Sequence, residues 1–397
     1  MGFSIFPIKG HIDQIDGFYC DGISAGLKAN NKLDIGFIYS DTSCAVDAIF
    51  TKNRFQAAPL QHFAKYNKGF ESNFVLINSK NANAMTGAQG IEDIDSLFNE
   101  LSQSFNNLQN PIMSSTGVIG VPLPKEKILA GAKTFDLFAK NGENLSKAIM
   151  TTDAYPKSCL YEVKLEDGTS FKIGSVAKGA GMINPNLATM LCFICTDANV
   201  PYDDMHNMLQ TNTHTTFNAI SVDGDTSTND TVLLLANKKS NAYDKEAFKE
   251  ALRLVMHDMA MLMVADGEGA KKACGFEVVG AKDEEEAELI AKALSNSLLV
   301  KTALFGEDPN WGRIASTIGA SGCSCDPMTL TITFGNVCVY NKGEILFDKE
   351  NEEKAAAVLR NDKFKVTCDL GLGDGSFIAY GCDLGYEYVK INADYRT

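Results

Sequence analysis

From Lys178 to Leu191 the chain reads Lys-Gly-Ala-Gly-Met-Ile-Asn-Pro-Asn-Leu-Ala-Thr-Met-Leu. A threonine hydroxyl is a poor nucleophile until a base takes its proton, and an N-terminal α-amine can be that base. Breaking the bond between Ala188 and Thr189 would give Thr189 such an amine. Its reference pKa, about 8 against about 10.4 for lysine, leaves a useful neutral fraction near neutrality. One residue then supplies both nucleophile and base. The stretch suits this chemistry: two glycines tolerate positive φ and close backbone approach, Pro185 turns the chain, and Ala188 keeps bulk away from the hydroxyl. Read without that chemistry, it is an ordinary glycine-rich loop.

Other reactive groupings are weaker. Cys192-Phe193-Ile194-Cys195 has Cys-x-x-Cys spacing but lies in the apolar run Met190 to Ile194, where cysteine acts as a small hydrophobe. No second Cys/His pair at zinc-ligand spacing accompanies it, and Cys323-Ser324-Cys325 says less still. Asp223 to Asp230 begins like a calcium loop, which needs Gly at its sixth position and Glu at its twelfth. This chain has Thr228 and Leu234 there, so hydrogen-bonding structure near the active site is the expectation. No Gly-x4-Gly-Lys-[Ser/Thr] phosphate loop occurs, and Gly371-Leu372-Gly373-Asp374-Gly375 reads as a turn. The five histidines show no ligand spacing; His206 and His214, on one predicted helix, read as surface residues. No metal or cofactor is expected.

The elements that must hold this loop alternate between strand-like and helix-like stretches, the mark of an α/β or α+β architecture. Ile94, Leu97, Phe98, Leu101 and Phe105 recur at helical spacing. Helices are also predicted over 125–140, 203–217, 244–265, 283–300 and 350–360. The acidic start of the fifth, Asp283 to Glu286, fits a solvated first turn favoured by the helix dipole. Leu160–Leu165 and Ser170–Gly174 flank Asp167-Gly168, a hairpin signal. Strands are predicted over 232–236, 329–334, 337–340, 363–368 and 376–381. The terminal run Tyr388 to Thr397 alternates at its start like a strand tied into a sheet. Without a linker, the two halves are expected to form one intimate structure.

Composition narrows the function. The 397 residues are 45% hydrophobic and 22% charged, ordinary globular values. A formal net charge of −14 argues against nucleic acid or an anionic membrane as partner, while leaving small anionic substrates open. No apolar run approaches the roughly 20 residues of a membrane span. The N-terminus has too short an apolar stretch for a signal peptide, and Phe6 breaks the myristoylation pattern begun by Gly2. Cytoplasmic location is expected, with the eleven cysteines reduced.

The segment Lys178-Gly179-Ala180-Gly181-Met182-Ile183 with Pro185-Asn186-Leu187-Ala188-Thr189-Met190-Leu191 resembles the self-processing segment of the ornithine acetyltransferases, the bifunctional glutamate N-acetyltransferases of arginine biosynthesis. The resemblance covers essentially the whole chain. It continues through Gly22-Ile23-Ser24-Ala25-Gly26-Leu27-Lys28, Asn78-Ser79-Lys80-Asn81-Ala82-Asn83-Ala84, Ser115-Thr116-Gly117-Val118-Ile119-Gly120 and Thr151-Thr152-Asp153. Ser221 to Thr231, Gly306-Glu307-Asp308-Pro309-Asn310-Trp311-Gly312-Arg313 and Tyr388 to Thr397 complete it. Ala180 stands where Ser is expected, Leu187 for Met and Lys80 for Gly; none removes a group the chemistry needs.

The resemblance implies a layered αββα sandwich in two chains, an N-terminal 1–188 and a C-terminal 189–397, folded together and paired as an α2β2 heterotetramer. It implies a ping-pong reaction. Thr189 takes acetyl from N-acetylornithine, ornithine leaves, and glutamate accepts the acetyl group. Thr116 (hydroxyl) and Gly117 (backbone N–H) would form the oxyanion hole; Thr152, Lys178, Thr189, Glu268, Asn392 and Thr397 would contact substrate. Read alone, Ser115-Thr116-Gly117 is a turn, and Lys178 and Glu268 are surface charges. No motif separates an enzyme that also accepts acetyl-coenzyme A from one that does not. The alternatives are an N-terminal-nucleophile amidase or aminopeptidase, with water as acceptor, and an uncleaved relative that only binds amino acids.

Overall fold

The strand Ile35–Phe50 organises the molecule. In a strand successive side chains point to opposite faces, and this one changes its surroundings halfway. Ile35, Phe37 and Tyr39 share one apolar cluster and Ile38 another. The pairing register slips between Tyr39 and Cys44, as at a bulge that bends a strand. Beyond it Cys44 and Val46 rejoin the cluster of Ile38, while Ala45 and Ile49 enter a third.

A nine-stranded sheet therefore folds over on itself. One layer holds Phe18–Ile23, the first half of Ile35–Phe50, Glu71–Asn78 and Ile112–Ser115. The other holds the second half with Thr231–Ala236, Leu191–Thr196, Ser170–Lys178, Lys157–Leu165 and Phe3–Pro7. Ile38, Val75 and Ile77 of the first layer pack against Val176, Phe193 and Leu233 of the second. Helices Gly87–Ser104 and Lys125–Ala132 cover the first layer's outer face. Tyr202–Thr215 and Lys245–Ala265 cover the second's. This is the expected αββα layering.

A second, seven-stranded sheet comes wholly from residues after Ala219. Helices Glu284–Asn296, Trp311–Ala320 and Lys349–Leu359 close one face of it around Phe276, Ile332 and Phe334. Its other side meets the helix Lys245–Ala265, where the His257 ring packs edge-on against Tyr380.

The structure, a computed structural model, describes residues 2–184 and 190–394. The expected cleavage site Ala188–Thr189 and the terminal Thr397 lie outside the described residues. Three expectations need correction. The C-terminal run is not a strand but a helix, Tyr386–Asp394; helical spacing puts Tyr388 and Asn392 on one face, where they bond Asp223 and Glu268. The helix predicted over 283–300 breaks at Ser297, whose hydroxyl accepts from the Val300 N–H and starts a new helix, Leu298–Phe305. The helix predicted over 125–140 stops at Ala132, just before Thr134 takes the Gly131 carbonyl with its hydroxyl.

Cys192 and Cys195 face opposite sides of their strand, in different apolar clusters, so the Cys-x-x-Cys spacing brings no thiols together. All eleven cysteines are free. His206 is only half exposed, its Nδ1 3.1 Å from Asp47. Among the described residues no group of His, Cys, Asp and Glu could hold a metal, and no helix is long and apolar enough to cross a membrane.

Candidate active site

Where the antiparallel strands Ser170–Lys178 and Leu191–Thr196 end and begin, Lys178 pairs with Leu191. The connection between them carries the reactive stretch. Its first half is held by backbone contacts: Asp153 accepts from the Gly179 N–H at 2.7 Å, and the Ala180 carbonyl accepts from the Glu268 N–H at 2.8 Å. Asp223 takes the N–H groups of Met182 (2.6 Å) and Ile183 (2.9 Å). A Cβ on Gly181 would lie 2.4 Å from the Glu268 carboxyl carbon, so only glycine lets that carboxylate approach. The run Asp223 to Asp230 is thus the hydrogen-bonding structure expected of it.

A cavity of about 180 Å³ opens here, lined by Thr116, Gly117, Thr152, Lys178, Glu268 and Asn392 together with Asp223 and Tyr388. Six of the expected site residues converge from both halves of the chain. Thr116 and Gly117 follow the strand Ile112–Ser115, and Asn229 reaches over to their layer, its amide donating to the carbonyls of Ala82 (2.7 Å) and Ser115 (2.8 Å). Gly117 has φ 131°, and a Cβ there would sit 2.2 Å from the Lys80 carbonyl carbon. Among the described residues neither the Gly117 N–H nor the Thr116 hydroxyl donates a hydrogen bond.

The cation opposite them is equally unspent. Lys178 is 3% exposed, yet no carboxylate among the described residues forms an ion pair with it. Burial pulls its ammonium below the usual lysine range, with Asp153, Glu268 and Asp230 resisting from farther off. Glu268, 8% exposed, accepts from the Asn392 amide at 2.6 Å. A lone buried ammonium facing a carboxylate–amide pair fits the charge pattern of an amino acid, whose carboxylate and amine need opposite partners.

Beneath Lys178 lies a cluster that sequence reasoning did not single out as a unit. The Lys157 ammonium, wholly buried, donates to Asp153 at 2.7 Å and to Asp266. Asp266 also accepts from the Ala154 N–H at 3.1 Å. Burial pushes Asp153 up, but Lys178 and Lys157 outweigh it and leave its carboxyl at about 2. Asp230 behaves oppositely. Burial drives its carboxyl far up, although one oxygen accepts from the Met190 N–H at 3.2 Å. The Thr-Thr-Asp motif marked Asp153; Asp266 carries no local signal, because its partner Lys157 is 109 positions away.

Residues 19–397 match the ArgJ family. The arginine biosynthesis bifunctional protein ArgJ of Wolinella succinogenes is 61% identical over the full length of both chains. That of Oceanobacillus iheyensis is 41% identical, covering 98% of this chain and 97% of its own. A crystal structure of the arginine biosynthesis bifunctional protein argJ from Bacillus halodurans is 41% identical, covers 50% of this chain and 96% of that one, and has a TM-score of 0.47. The chain belongs to the ArgJ family. Membership makes it an acetyltransferase of arginine biosynthesis, the function that its motifs imply. Of the expected binding residues, Thr152, Lys178, Glu268 and Asn392 share that cleft, while Thr189 and Thr397 lie outside the described residues.

Proposed function

We propose that this enzyme moves acetyl from N-acetylornithine to glutamate through an ester on Thr189, after cutting its own chain before that residue. The observation that carries this reading is the buried ammonium of Lys178, which forms no ion pair among the described residues, in the same cleft as the Thr116 hydroxyl and the Gly117 N–H. Lys178 would bind the substrate carboxylate, and Glu268 with Asn392 the amine. Thr152 and Thr397 complete the contacts expected from the motifs.

In self-cleavage the Thr189 hydroxyl oxygen adds to the Ala188 carbonyl carbon and the peptide C–N bond breaks, its nitrogen taking the hydroxyl proton. Water then hydrolyses the ester, freeing the Ala188 carboxylate and the Thr189 hydroxyl and amine. Transfer repeats the addition on the acetyl amide. The α-amine takes the hydroxyl proton and gives it to the departing ornithine nitrogen; glutamate's neutral amine then attacks the acetyl ester, the bond between the acetyl carbon and the Thr189 oxygen breaks, and the α-amine passes the proton lost by glutamate's nitrogen to that oxygen. Each addition puts negative charge on a carbonyl oxygen, which the Thr116 hydroxyl and the Gly117 N–H would receive. A cut at 188 leaves both pieces in one sheet, because Leu191–Thr196 lies between Ser170–Lys178 and Thr231–Ala236. The paired α2β2 assembly expected from the motifs belongs to the same reading.

Purified protein supplied with N-acetylornithine and glutamate should yield ornithine and N-acetylglutamate, and intact mass should show chains 1–188 and 189–397. Thr189→Ala should stay full length and transfer nothing. Free acetate in place of N-acetylglutamate would establish the amidase alternative; an uncut wild-type chain that is active would overturn the mechanism.

A further inference from the structure

The residue after the expected nucleophile is held at both of its backbone groups. The Met190 carbonyl accepts from the Thr231 N–H at 3.0 Å, and the Met190 N–H donates to Oδ1 of Asp230 at 3.2 Å. In the transfer chemistry above, Asp230 has no task. It is 1% exposed, and its second oxygen, Oδ2, is buried with no hydrogen-bond partner among the described residues. The neighbouring Thr51 hydroxyl is committed to the Ser227 carbonyl at 2.8 Å, while the Thr51 N–H fixes the Asp230 backbone carbonyl at 3.1 Å. Buried polar atoms of folded proteins are nearly always hydrogen-bonded, and an unused one calls for an explanation.

Cutting the chain before Thr189 would create an amine three bonds from the Met190 nitrogen, each bond about 1.3–1.5 Å long. A carboxyl group that holds the Met190 N–H with one oxygen can therefore reach that amine with the other. Nucleophile, base and a third group that orients the base form a recurring arrangement in covalent catalysis. Thr189 would supply the first two, and its amine has no orienting partner in the steps above.

We propose that Asp230 is the positioning residue of this site: after the cut its Oδ2 accepts from the α-amine of Thr189 and holds the amine's lone pair toward the threonine hydroxyl. The proposal rests on the acetyl-transfer reading above. In the uncut chain there is no amine to meet. Burial then drives the carboxyl far up, against weaker opposition from the Met190 N–H, the Thr51 hydroxyl, Lys178 and the Ser227 hydroxyl, and it stays a neutral acid. An ammonium beside it favours its ionised form. On cleavage its proton therefore passes to the freed amine, giving an ammonium–carboxylate pair, and loss of one ammonium proton to solvent restores the base. Each time the amine takes the hydroxyl proton, the same carboxylate stabilises the new ammonium. That proton goes on to the ornithine nitrogen, and Asp230 takes none of it.

The test separates cutting from transfer. Asp230→Asn keeps an oxygen for the Met190 N–H and removes the negative charge. Intact mass should show it cut as completely as wild type, because self-cleavage precedes the amine. Its kcat with N-acetylornithine and glutamate should fall about tenfold or more, general-base catalysis being worth ~10²–10⁴ in all, with KM changed by less than about twofold. The acid limb of its kcat profile should move down by about one pH unit, because an amine without a nearby carboxylate gives up its proton at lower pH. A cut variant with wild-type kcat and an unmoved limb would overturn the proposal. So would a folded variant that fails to cut, which marks a residue needed before the amine exists. Should Asp230→Asn not fold, infrared spectra of aspartate-labelled protein decide. A buried carboxylic-acid band of uncut Thr189→Ala should be lost in cut wild type, and its persistence there would overturn the assignment. A wild type that neither cuts nor transfers would instead overturn the transfer reading beneath it.

Discussion

The folded-over nine-stranded sheet and the seven-stranded sheet are built by the same rules but hold different interiors. Around the second, the clustered core is apolar throughout: Phe276, Val278, Ile332, Phe334 and Val366 beneath helices that bury Ile290, Leu294 and Ile314. The first closes over charges. Asp153, Lys157, Lys178, Asp230 and Glu268 are all buried near the connection between Lys178 and Leu191. Buried charge is tolerated only when paired or hydrogen-bonded, and costs several kcal/mol when it is not. At the second sheet the buried Lys301 and Asp383 are each held by the backbone, Lys301 donating to the Cys382 carbonyl and Asp383 accepting from the Lys271 and Lys272 N–H groups. Lys178, without an ion pair among the described residues, is therefore where the proposed substrate would complete the pairing, while Lys157 with its two aspartates holds the frame.

The comparison can be broken in several ways. The largest expected effect is in catalysis. Thr116→Ala should fold and lower kcat by ~10²–10³ with little change in KM, since the charge it meets exists only in the transition state. A kcat within a few-fold of wild type would reduce Thr116 to a turn residue.

Next come two buried substitutions of similar weight and different consequence. Phe276→Ala, in the second sheet, should lower unfolding stability by about 3–5 kcal/mol while leaving the transfer kinetics of the folded enzyme unchanged. Lys157→Met strands two buried carboxylates and should destabilise by a comparable ~3–5 kcal/mol. It should also change KM, because Asp153 holds the Gly179 N–H beside Lys178. Chemical denaturation with steady-state kinetics on both variants checks the contrast; identical kinetic outcomes would erase it.

A subtler effect is in pH dependence. Burial lowers the Lys178 ammonium below its ordinary 10.5, and lysine loses its charge as pH rises through its own pKa. KM for glutamate should therefore climb on the alkaline side before 10.5 is reached, and Lys178→Arg should remove that limb. The smallest effect is at a helix packed on the second sheet, Glu284–Asn296. Asp283 caps its helix by accepting from the Glu286 N–H at 2.9 Å, and Asp283→Ala should cost about 1 kcal/mol of stability with no kinetic change.

The two regions also differ in how far the sequence discloses them. The helices Tyr202–Thr215, Lys245–Ala265 and Lys349–Leu359 and the hairpin around Asp167-Gly168 were legible because periodicity and turn residues are local. The fold-over at Ile35–Phe50 was not, since a register slip depends on which strand pairs each half. The terminal helix misled because Tyr388 to Asn392 alternates like a strand, whereas its contacts with Asp223 and Glu268 require helical spacing. At the site, Lys178, Glu268, Thr116 and Asn392 were legible through motif resemblance. The triad of Asp153, Lys157 and Asp266 was not, because two of its members are joined across 109 positions.

The central claim is that Thr189 carries the acetyl group. Enzyme mixed with N-acetylornithine alone and quenched in acid should release ornithine in one burst. The peptide beginning at Thr189 should then be heavier by one acetyl group, on its hydroxyl, and lose it on a chase with glutamate. Rapid transfer to glutamate with no acetyl ever found on that peptide, or with the bond before Thr189 still intact, would contradict the account.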